Sequence, residues 1–81
     1  MQTGVFFVQL KDDIPANEQG EALSGRVDRL NDVFEKNKPY PVLAVHYREA
    51  NTLKQTFYHM PTRTNELGWF SSEYFIFAAN S

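Results

Sequence analysis

The sequence predicts a small single-domain α+β protein, a strongly bent antiparallel sheet with one amphipathic helix packed on it. Three observations carry that expectation. The chain has 81 residues, room for one small domain. Short runs rich in Val, Phe and Tyr recur between polar connections, which is a strand pattern. One stretch, 21–36, changes to the three-to-four-residue spacing of a helix with one apolar stripe.

The elements follow in order. Residues 4–10 (Gly-Val-Phe-Phe-Val-Gln-Leu) form a strand, with Phe6, Val8 and Leu10 on one face and Val5, Phe7 and Gln9 on the other. Lys11 to Gly20 is a polar loop with a helical turn starting at Pro15. Leu23, Val27, Leu30 and Phe34, with Val33 beside them, stripe a helix over 21–36. Ser24 is its candidate cap, and Asn37, Pro39 and Pro41 end it. Tyr40 to Tyr47 is a second strand, with Val42, Ala44 and His46 facing one way and Leu43, Val45 and Tyr47 the other. A polar connection, 48–53, leads to a third strand, Lys54 to Met60. After the loop 61–67 come Gly68-Trp69-Phe70, a single 3₁₀ turn at Ser71-Ser72-Glu73 and a last strand, Tyr74 to Ala78. The expected order is β-α-β-β-(3₁₀ turn)-β over one domain, 1–81.

Composition removes several function classes. There is no cysteine, hence no disulfide scaffold, thiolate metal site or cysteine nucleophile. Eight bases against ten acids give a net charge of −2, which disfavours a strongly basic nucleic-acid binder. No apolar run approaches the roughly 18 residues of a membrane span. Met1-Gln-Thr-Gly has neither a basic stretch nor a cleavage site, so a cytoplasmic protein is expected. Residues 1–40 hold seven acids and five bases, and residues 41–81 hold three of each. The helical half therefore carries the charge, and the sheet half is neutral and aromatic.

No catalytic constellation stands out, and no enzyme is expected. Gly20 to Val27 falls short of a phosphate loop: Arg26 replaces its lysine, Val27 has no hydroxyl for Mg²⁺, and no buried strand precedes it. His46 and His59 share a face, and with Glu49 they offer at most a weak Zn²⁺ site. Two surface histidines are the plainer reading, so no metal and no cofactor is expected. Ser71 and Ser72 lie outside any nucleophile elbow and suit turn capping. Asp12-Asp13 and Asp28/Asp32 read as solvated charge.

The C-terminal half carries a likeness. Lys38-Pro-Tyr-Pro-Val-Leu-Ala-Val45, a hairpin, and then Gly68-Trp-Phe-Ser-Ser-Glu-Tyr-Phe75 resemble small SH3-like barrels, in which a late Gly-x-Phe enters a one-turn 3₁₀ helix. The tail is similar to those of short SH3-like proteins encoded by bacteriophages. The likeness covers about residues 38–78 and implies a barrel. SH3 domains have Pro where Ser71 stands and Asn where Glu73 stands, and paired tryptophans where this chain has only Trp69. It therefore does not carry polyproline binding with it.

The remaining signal is a surplus of apolar surface. Phe6, Val8, Leu10, Leu43, Val45, Tyr58 and Met60 can form a core with the helix. Val5, Phe7, Val42, Ala44 and Phe57 are left on the other face, and the last strand is apolar on both faces. Either the sheet curls into a barrel, or one face is a contact surface. The expected function is non-enzymatic protein–protein interaction, as in a phage accessory protein that binds and modulates a host protein. A second copy of the chain is another occupant for such a face. The expected contact residues are Phe7, His46, Phe57, His59, Trp69 and Tyr74. The alternative is a single-stranded nucleic-acid binder that stacks bases on Tyr47, Phe57, Tyr58 and Trp69, with Arg48, Lys54 and Arg63 on the phosphates. The neutral sheet half speaks against it. DNA mimicry by the helical half finds too little charge.

Overall fold

The run Tyr40-Pro-Val-Leu-Ala-Val-His-Tyr reads as one strand, but it breaks at Leu43, and the break organises the molecule. The computed structural model describes residues 6–78. Before the break, β4 (Tyr40–Val42) pairs antiparallel with β1 (Phe6–Leu10), whose other edge takes β8 (Phe75–Phe77). After it, β5 (Ala44–Ala50) pairs with β6 (Leu53–Pro61), which pairs with β7 (Leu67–Ser71). At the break the Leu43 N–H donates to the His59 carbonyl at 2.8 Å, while Ala44 also stands opposite His59. Two residues facing one make a bulge, which bends the chain from one sheet into the other.

The result is mostly strands with one short helix: two three-stranded sheets, ordered β4-β1-β8 and β5-β6-β7, and a small hairpin of β2 (Gln19–Glu21) and β3 (Val27–Arg29). Ala22 bridges this hairpin to Phe70 of β7. Among the described residues no ladder closes the sheets into a continuous barrel. Val5 and Gly4, placed in the first strand by the sequence reading, lie outside the described residues.

The helix expected over 21–36 is a correction. Only α1, Leu30–Val33, is helical, a single turn. Gly25 takes φ 95°, a backbone that glycine adopts without strain, and turns the chain between β2 and β3. Its N–H donates to the Ala22 carbonyl at 2.8 Å. Val27, one of the predicted stripe residues, is half exposed on β3. The part of the stripe that survives is Leu30 and Phe34, both fully buried.

Phe34 is the centre of the core. Its ring meets Tyr40, Phe70 and Phe75 edge-on at 5.1, 5.0 and 5.2 Å between centroids, a geometry that suits the opposed charge of ring faces and edges. Val8, Leu10 and Met60 complete the packing. The sequence reading also put Leu43 and Val45 in the core and left Val42 and Phe57 outside. Both assignments reverse: Leu43 and Val45 are about half exposed, and Val42 and Phe57 are buried. The break is the reason for the first three: Val42 stays on β4 beside β1, whereas Leu43 and Val45 pass onto the arm of β5, whose residues are all exposed. Phe57 is covered separately, by Arg48.

Candidate functional site

Side chains alternate across β5, β6 and β7. Ala44, His46 and Arg48 therefore share a face with Gln55, Phe57, His59, Trp69 and Ser71. On that face the two histidines meet at Trp69. The His59 ring stacks on the indole at 4.7 Å with 17° between planes, and His46 approaches it edge-on at 6.0 Å.

A symmetric 47–54 connection would have set His46 against Gln55 and Val42 against His59. The observed partners are Phe57 for His46 and Ala44 for His59. The connection is shorter than expected because Asn51, at φ 56°, lets Asn51-Thr52 alone join Ala50 to Leu53. The register moves by two residues, an even number, so each side chain keeps its expected face.

Phe57, expected as a contact residue, is 4% exposed. Arg48 lies over its ring at 5.2 Å and donates two hydrogen bonds to Gln55 Oε1, at 3.0 and 2.8 Å. Phe57 is thus the floor, and the pinned guanidinium is the group on display. Arg48 has no ion-pair partner among the described residues.

Tyr74 ends the 3₁₀ turn Ser72–Tyr74, whose first N–H groups are met by Ser71: its Oγ accepts from the Glu73 N–H at 3.4 Å. The half-buried Tyr74 lines a cleft of about 180 Å³ together with Glu21, Arg48 and Phe57. Burial raises the Tyr74 phenol above its ordinary 10.0. A backbone hydrogen bond with Glu21 opposes this, and the carboxylates of Glu73, Glu18 and Glu21 reinforce it. The structure therefore gathers His46, Phe57, His59, Trp69 and Tyr74 along one face and its end. Phe7 is not among them: it is half-buried on β1 opposite Pro41, on the side away from Val8 and the core.

A larger cleft, about 630 Å³, lies between the β2–β3 hairpin and the 62–66 turn, and Trp69 lines it too. One wall is an ion-pair chain in which Arg26 reaches Asp28 at 2.8 Å and Glu66 at 3.9 Å. The sequence reading missed this cleft because it placed Arg26 and Asp28 on a helix. The usable signal was Ser24-Gly25, a turn pair.

The other candidate chemistries are dispersed. Glu49 sits on the opposite face of β5 from both histidines. No three His, Asp or Glu among the described residues gather to hold a metal. Gly20 lies in β2 and Gly25 in the turn after it, with a strand following instead of the helix a phosphate loop needs. The rings offered for base stacking divide between faces: Phe57 and Trp69 on one, Tyr47 and Tyr58 on the other. No helix of the described residues is long and apolar enough to cross a membrane. No family model, curated protein or solved structure matches the chain.

Proposed function

We propose that the chain is a non-enzymatic protein-interaction module on an SH3-like frame, and that its partner seats on the Trp69 face. The observation that carries the reading is the ring cluster itself. A lone indole would be ordinary surface, whereas here two imidazoles converge on one indole beside a pinned Arg48 that has no ion-pair partner among the described residues. Aromatic and arginine anchors dominate contact energies between proteins.

Support for the SH3-like frame comes from strand order. The chain passes from the β4-β1-β8 sheet to the β5-β6-β7 sheet through the bend at Leu43, and a 3₁₀ turn leads into the last strand. The long excursion between β1 and β4 carries a small hairpin of its own. The tail's likeness to short SH3-like phage proteins extends the reading to an accessory protein that binds and modulates a host protein, in the cytoplasm.

The test is affinity capture from a bacterial lysate with the wild-type chain, Trp69→Ala and Gln9→Ala, the last on the other sheet. A specific partner held by the wild type and Gln9→Ala but lost by Trp69→Ala supports the reading. A partner retained by all three, with Trp69→Ala folded by circular dichroism, overturns the placement on this face.

A further inference from the structure

The outer edge of β5 is a long, exposed strand edge without a backbone partner among the described residues. β5 pairs with β6 along one edge, and no described residue pairs with the other. All seven of its residues are exposed. It is not a floppy arm, since a two-residue turn closes it and Arg48 is bonded to Gln55 across the pair. Proteins commonly guard such edges with proline, an internal bulge or several charges. Ala-Val-His-Tyr-Arg-Glu-Ala has only Arg48 and Glu49.

Two hydrogen bonds fix which main-chain groups face outward. The Trp69 carbonyl accepts from the Leu23 N–H and so points away from β6. The His59 carbonyl accepts from the Leu43 N–H and so points toward β5. Alternation along antiparallel strands then aims Ala44, His46 and Arg48 at β6, and Val45, Tyr47 and Glu49 outward.

We propose that two copies of this chain pair antiparallel through this edge, about a twofold axis at His46. In that register Val45 of each copy meets Tyr47 of the other, twice over. Both side chains are more than half exposed in the single chain, at 52% and 54%. Registers nearer the turn are worse in side-chain terms: centring on Tyr47 sets Val45 against Glu49, and centring on Arg48 sets two guanidinium groups face to face. Registers shifted the other way lose overlap, because β5 begins at Ala44. Charge also selects the arm. Arg48 and Lys54 against Glu49 make residues 43–55 +1, so the rest of a chain of net −2 carries −3. Two copies repel least where they meet through the arm. Pairing extends β5-β6-β7 into a six-stranded sheet with both Trp69 faces on one side. The edge is distinct from those faces, so this proposal and the partner reading can fail separately.

The test is sedimentation velocity of the full chain over a concentration series, with Val45→Glu and single-cysteine variants of a chain that has none of its own. A concentration-dependent dimer is expected. Val45→Glu sets like charges beside Glu49 at the pairing edge and should weaken the dimer by about tenfold or more. Partner capture through Trp69 should be unaffected by it. Residues directly opposite in a non-hydrogen-bonded pair have Cα atoms about 4.5 Å apart, within disulfide reach. Mild oxidation should therefore cross-link His46→Cys in preference to Tyr47→Cys. A chain that stays monomeric at every concentration overturns the proposal, as does a dimer indifferent to Val45→Glu. Preferential cross-linking of Tyr47→Cys overturns the register.

Discussion

The backbone N–H of Glu35 donates to the Tyr40 hydroxyl at 2.8 Å, just past the buried Phe34. Tyr40 thereby packs its ring against Phe34 and closes the chain end left by the one-turn helix α1. Removing the hydroxyl alone, in Tyr40→Phe, leaves that N–H without its partner and should cost about 1 kcal/mol. Phe34→Ala removes the ring that three others pack on and should cost about 3–5 kcal/mol. Urea unfolding measures both, and equal losses would show that the Phe34 cluster is not the centre of stability.

Gly20 is needed for close approach rather than for an unusual backbone angle. A Cβ there would lie 2.5 Å from Leu30 Cδ2 and 3.1 Å from a Tyr74 ring carbon. Leu30 is 1% exposed, so it has to repack within the core to make room. Gly20→Ala should destabilise by about 1–3 kcal/mol through overpacking. Gly25→Ala meets no atoms within 4 Å, and its cost comes from φ 95° alone. A thermal melt of both variants separates crowding from backbone strain, and an unshifted Gly20→Ala melt would mean that Leu30 repacks freely.

These two glycines also show why the sequence was legible only in part. Strand periodicity placed β1, β6 and the 3₁₀ turn because alternation and turn residues are local signals. The stretch 21–36 misled because Leu30 and Phe34 do point into one core, yet they reach it from a turn and a loop. Spacing reports which residues are buried, not which backbone buries them. The histidine–tryptophan face was readable because an even register shift keeps side chains on their sides. Phe57 was not, because its cover comes from Arg48, a long polar side chain whose stem and guanidinium lie over a ring. The break at Leu43 has no residue signature in this chain; it leaves Val42 in the core sheet and carries Leu43 and Val45 onto an arm that is exposed throughout.

The division of rings between two faces bears on nucleic acid. A base-stacking platform needs successive rings on one side beside cations. Phe57 is buried, and Tyr47 and Tyr58 face away from Trp69. A labelled single-stranded oligonucleotide at low salt and tens of micromolar protein should show no change in anisotropy. Salt-sensitive binding that falls with Trp69→Ala would instead place single strands on this face.

Tyr74 gives the fold a dependence on alkaline pH. Burial first, and then the carboxylates of Glu73, Glu18 and Glu21, hold its phenol above the ordinary 10.0. The unfolded chain loses this proton near 10.0, while the folded chain keeps it to a higher pH. In that window the unfolded state binds fewer protons than the native one, so stability falls as pH rises. Below 10.0 the contribution is fully present and constant. Tyr74→Phe cannot ionise and should show a shallower loss of melting temperature above pH 10 than the wild type, with the other tyrosines and lysines common to both chains. Parallel curves for the two proteins would mean that Tyr74 titrates alike in the folded and unfolded chain, and that the acidic rim of the cleft does not act on it.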